Sequence, residues 1–163
     1  MRDTDGGSGI AGLHLQDRKR MTMRARSLYR IAAVFFVLFA AGHTFGFLSF
    51  LPHSADGRAV FDAMNKVHFQ ERGATFSYGA FYRGFGLSCT VSMILSAFLS
   101  WHLGELAQKL PQAIGVLAWA FFAAQVAGFA LSLIYFSVGP AMFSVVLMIC
   151  LGWAAWLVRA PPS

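Results

Sequence analysis

IAAVFFVLFAAGHTFGFLSFL, residues 31–51, contains no charged side chain. A helix that crosses a bilayer needs roughly 20 mostly apolar residues, and this stretch has the required length. Three further stretches repeat the pattern. Residues 78–101 carry one charge, Arg83, and residues 113–136 and 138–158 carry none. Lipid offers no hydrogen bonds, so a spanning segment must satisfy its backbone internally, as a helix or a closed barrel. A barrel needs apolar and polar residues in alternation, and none of the four runs alternates. The expected fold is all-α, a four-helix transmembrane bundle running up-down-up-down. Its domain covers 28–159, after a polar, basic and disordered segment, 1–27.

Composition agrees. Across 163 residues, 57% are hydrophobic and 12% are charged, against about 45–50% and about 25% in ordinary soluble domains. A disordered chain is excluded by that excess. The formal charge of +6 would suit nucleic acid, but the positions of the charges do not. Arg18, Lys19, Arg20, Arg24, Arg26 and Arg30 crowd before the first apolar run. Basic residues so placed set membrane orientation. With Lys109 and Arg159 they make eight on one side, against Arg58, Lys66 and Arg72 on the other. Both termini are therefore expected in the cytoplasm of a bacterium, with the chain in its inner membrane and the loop 52–77 facing out. The expected partners are the lipid bilayer and a second copy or another membrane protein, with no nucleic acid.

Two features bear on the ends. Ala40-Ala41-Gly42 resembles a signal-peptide cleavage site, but the apolar run continues to Leu51, so an uncleaved span is expected. Met1, Met21 and Met23 all remain candidate starts. Between the third and fourth spans, Ser137 is expected to cap the last helix, with Pro140 in its first turn, where a missing amide hydrogen does no harm.

Small residues recur every fourth position in two spans: Ala80, Gly84, Ser88, Ser92, Ser96 and Ser100 in the second, Ala120, Ala124, Gly128 and Ser132 in the third. In lipid, close backbone approach through small residues stands in for the hydrophobic drive. These stripes are expected to pack the two spans together, or to face a second subunit. In the outer loop, Val60, Phe61, Met64, Val67 and His68 fall on one face of a short amphipathic helix, 56–68, that Gly73 would stop.

Polar groups within spans are the candidates for function. At about 1.5 Å per residue, His43 lies roughly 12 Å and Arg83 roughly 7–8 Å below the outer ends of their spans, with Gln125 deeper. His43, Thr44, Arg83 and Gln125 are expected to line an outward-opening ligand pocket, with Tyr78, Tyr82, His68 and Glu71 at its rim. Arg83 would bind an anionic group or pair with Glu71. The bland readings are an arginine that snorkels to the headgroups and a histidine satisfied inside the bundle. Haem of the b type needs two histidines at one depth on facing helices. His43, His53, His68 and His102 supply no such pair, so no cofactor is expected. Cys89 and Cys150, inside apolar runs, read as inert thiols, and His102 with Glu105 reads as an isolated pair. No metal-ligand, phosphate-loop or catalytic-serine motif is present.

Gly42-His43-Thr44, then Phe69, Ser77-Tyr78 and Phe81-Tyr82-Arg83-Gly84-Phe85-Gly86-Leu87 resemble a group of small four-span bacterial integral membrane proteins of unknown function, over residues 28–158. In that group a Trp-Asp pair opens the second span, where Gly79-Ala80 stands here. The resemblance implies the fold and carries no activity. Three functions follow from the residues. The first is a non-enzymatic bundle that binds a small or lipid-like ligand or a partner helix. The second is a membrane enzyme or redox subunit using His43 with Arg83. The third is a small transporter, for which the third and fourth spans supply few polar groups.

Overall fold

The computed structural model describes residues 6–136 and 138–159. Its elements run α1 (Gly6–Leu48), α2 (Ala55–Lys66), β1 (His68–Glu71), β2 (Ala74–Ser77), α3 (Tyr78–Lys109), α4 (Gly115–Tyr135) and α5 (Val138–Leu157). Four of the helices are long and apolar enough to cross a membrane: α1 within Leu15–Leu48, α3, α4 and α5. Their apolar side chains point largely outward, with Val116 at 86% and Phe45 at 77% exposure. Soluble monomers rarely expose contiguous apolar patches above a few hundred Å², so this surface is suited to lipid.

The chain divides into two compact units, the first Met1–Phe36 with Ser96–Ser163 and the second Val37–Leu95. In the first, α1 buries Ala25, Tyr29, Ala32, Ala33 and Phe36, a set at i, i+4, i+7, i+8 and i+11 that forms one helical face. From α3 come Ala97, Ser100, Leu103 and Ala107, and from α5 Leu147, Leu151, Ala154 and Ala155. Most of these are small, which lets backbones close in. At Gly104 the approach is close: a Cβ there would lie 3.2 Å from the Tyr29 Cβ and 3.3 Å from the Arg26 carbonyl oxygen. The Ser100 hydroxyl donates to the Tyr29 carbonyl oxygen at 2.8 Å. Helix α4 packs chiefly on α5, and Phe36 stacks on Phe121 at 5.8 Å.

Several expectations change here. Helix α1 starts at Gly6, where disorder was expected, and its 43 residues are about twice the roughly 20 that a crossing needs. Helix α3 runs to Lys109, eight residues past the expected end of its span. Each small-residue stripe is buried only at its last member, Ser100 in α3 and Ser132 in α4. Ala80, Gly84, Ser88, Ser92, Ala120 and Ala124 are exposed, and Ser96 and Gly128 are half-buried. The Ser88 and Ser92 hydroxyls turn back onto the Gly84 and Ser88 carbonyls of their own helix. The seam that closes in α3 is the later one, Ala97, Ser100, Gly104 and Ala107. Ser137, the expected cap, lies outside the described residues.

In the second unit, α2 is capped by Ser54, whose hydroxyl accepts from the Gly57 amide at 3.0 Å. It ends at Lys66, and no residue of it is fully buried. Phe61 and Met64 are half-buried, while Val60 and Val67 are exposed, so the sheltered face is narrower than the sequence pattern implied. His68 belongs to a strand. Glu71 and Ala74 close an antiparallel hairpin around Arg72 (φ 49°) and Gly73 (φ 84°). Two consecutive positive φ angles are the signature of a type I′ turn, which matches the twist of the flanking strands. Gly73 therefore turns a hairpin and does not stop a helix.

Candidate functional site

The expected pocket residues divide between the units. Gln125, half-buried on α4, belongs to the first, and the other seven belong to the second. Among those seven, His43 and Thr44 tie α1 to α3. A carbonyl oxygen can only accept, so His43 Nε2–H donates to the Gly86 oxygen, at 3.1 Å. The Thr44 hydroxyl donates to Ala40 O and lies 2.8 Å from the Thr90 hydroxyl. Thr44 has one hydrogen to give, so Thr90 is the donor in that pair. The His43 ring stacks on Phe47, one turn further along α1, at 5.7 Å. Phe47 in turn meets Tyr82 at 5.1 Å. Gly86 makes this possible, because a methyl group there would overlap the Phe47 ring. His43 thus serves as an interhelical hydrogen-bond donor through Nε2.

The rest of the expected rim disperses. Arg83 is exposed on the first turns of α3. Tyr78 packs on Phe69 at 4.9 Å, and Phe69 also meets Phe76 and Phe81, giving an aromatic cluster over the hairpin. His68 Nδ1–H donates to Lys66 O at 2.7 Å. Glu71 faces Arg72 at 3.5 Å, both largely solvent-exposed. Strand side chains alternate in direction, so His68 and Glu71, three positions apart on β1, point to opposite faces. They cannot rim one pocket from that strand.

What the second unit does form is a groove of about 690 Å³ lined by Ala40, Ala41, Thr44, Phe45, Thr90 and Ile94 among others. Its two threonine hydroxyls are already paired, so the lining is apolar in effect. Thr90 was not singled out from the sequence. A lone threonine in an apolar run carries no signal until its partner 46 residues away is known.

The first unit contains a charge cluster that the sequence reading also missed. Arg26 donates to Gln108 Oε1 at 2.8 Å and to Glu105 Oε1 at 2.9 Å. Arg30 donates to the same carboxylate oxygen at 2.7 Å, and its guanidinium lies 4.7 Å from the centre of the Trp101 ring. Glu105 is therefore shared by two cations and is not an isolated partner of His102. His102 Nδ1–H donates to Phe98 O. Nearby, Arg18, Lys19 and Lys109 line a cleft of about 550 Å³. Arg20 and Arg24 line another of about 740 Å³ with Met23, Ser27, Leu28, Trp153 and Leu157.

Both cysteines are free thiols, Cys89 exposed and Cys150 buried. Among the described residues no three His, Cys, Asp or Glu side chains stand together as a metal site. No protein-family model matches the chain, and no curated protein or solved structure matches it.

Proposed function

We propose that this is a multi-pass protein of a bacterial inner membrane that holds an apolar guest, a lipid-like molecule, against its second unit, without catalysing a reaction. The observation that carries the reading is the groove lined by Ala41, Thr44, Phe45, Thr90 and Ile94. Its hydroxyls are satisfied internally, so it has contact area to offer and few hydrogen bonds, which favours an alkyl chain over a polar metabolite. His43 and Thr44 hold the walls together, Tyr82 supports them through Phe47, and Arg83 and Tyr78 sit where the outer headgroups would be. Arg83 would pair there with an anionic group of the guest. Positive charge concentrated on α1 and at Lys109 and Arg159 supports a cytoplasmic location for both ends and an up-down-up-down bundle. The exposed small-residue face of α3 further supports association with a second copy.

Native mass spectrometry of the full chain released from lipid nanodiscs tests the guest. A retained lipid-mass adduct is expected, and Ala41→Trp, which fills the groove, should remove it. Equal adducts on the wild type and on Ala41→Trp would refute the groove. A dimer that Gly84→Leu converts to monomer would support the association, and an unchanged dimer would count against it.

A further inference from the structure

Arg20, Arg24 and Ser27 lie at i, i+4 and i+7 on α1, so they share one face of the helix. Below them, Leu28, Trp153 and Leu157 complete a cleft of about 740 Å³ with Met23. The cleft is charged at one end and oily along the rest. Both guanidiniums are exposed, unlike those of Arg26 and Arg30, which converge on Glu105. Among the described residues of this unit the side-chain carboxylates are Asp17 and Glu105. Neither lines the cleft, so its charge is uncompensated by its own walls.

We propose that this cleft is a binding site for an anionic phospholipid. The headgroup phosphodiester is held by Arg20 and Arg24 and an acyl chain lies along Leu28, Trp153 and Leu157. Guanidinium forks match phosphate oxygens in pairs, and Ser27 adds a hydroxyl donor. Basic pockets between spanning helices on the cytoplasmic side are where acidic headgroups bind. Trp153, 56% exposed, has the amphipathic ring that favours the headgroup level. The cleft belongs wholly to the first unit, and its lining shares no residue with the proposed guest groove. The proposal rests only on the membrane part of the functional reading.

The test uses the full chain in nanodiscs of equal phosphatidylglycerol and phosphatidylcholine, with the retained lipid identified by mass. Two arginines at an anionic surface correspond to roughly a tenfold preference or more. The wild type should therefore retain phosphatidylglycerol in that excess, and the excess should shrink as salt rises. The double variant Arg20→Gln, Arg24→Gln should retain the two lipids alike, while Arg58→Gln on α2 keeps the preference. Trp153→Ala should reduce retention of both lipids. Inorganic phosphate in millimolar excess should not displace the bound lipid. Equal retention by the wild type, a preference untouched by the double variant at unchanged helical circular dichroism, or displacement by phosphate alone would each overturn the proposal. A chain that fails to enter nanodiscs at all would instead overturn the membrane reading.

Discussion

The two units of this chain are held together by different means. In the first, α1, α3, α4 and α5 contribute almost all of the fully buried side chains, from Ala25 to Val158. In the second, Ala40 is the one buried apolar side chain among the described residues, and closure comes from His43 on Gly86 and the Thr44–Thr90 pair. Small residues let backbones approach until dispersion contacts accumulate. In the second unit a few hydrogen bonds fix the register, and a groove remains beside them. The tight unit is suited to act as a frame, and the open one has surface left for a guest.

Substitutions should separate the two designs. The largest effect is expected at Leu147 and Leu151, both fully buried. Either to Ala should cost about 2–5 kcal/mol, read as loss of helix at lower dodecyl sulfate concentration in mixed micelles. Gly104→Leu comes next, at about 1–3 kcal/mol for overpacking, because the atoms in its way include the Arg26 backbone. Glu105→Gln should lower the thermal midpoint by leaving two half-buried guanidiniums without their shared anion. Lys in place of Arg26 should recover little, since a single ammonium cannot reach Gln108 and Glu105 with the same fork. In the second unit, Thr90→Val should cost about 0.6 kcal/mol, the average for an interhelical hydrogen bond in lipid. The smallest effect belongs to Val91→Ala, 66% exposed, within about 0.5 kcal/mol of zero. If Thr90→Val unfolded the protein as readily as Leu151→Ala does, the contrast between the units would fail.

Much of this contrast was hidden in the sequence. The four apolar runs were legible because bilayer thickness fixes their length. The extent of α1 was not, since a basic, glycine-containing flank has no apolar period. What orders Arg26 and Arg30 is Glu105, 79 and 75 residues away. The hairpin escaped notice because four-residue strands are too short to show alternation, although Arg72-Gly73 is a fair turn signal in retrospect. The stripe from Ala80 to Ser100 is plain in the sequence, but spacing alone does not say which of its members are buried along a 32-residue helix; Ser100 is. Of the expected site, His43 and Thr44 do bridge two helices. Arg83, His68 and Glu71 were grouped with them by depth, and depth says nothing about direction around a helix or along a strand.

Extraction of cell membranes with alkaline sodium carbonate tests the central claim most directly. Four apolar helices with outward-facing side chains predict that the full chain stays in the pellet and leaves it only with detergent. Recovery in the carbonate supernatant would contradict the account.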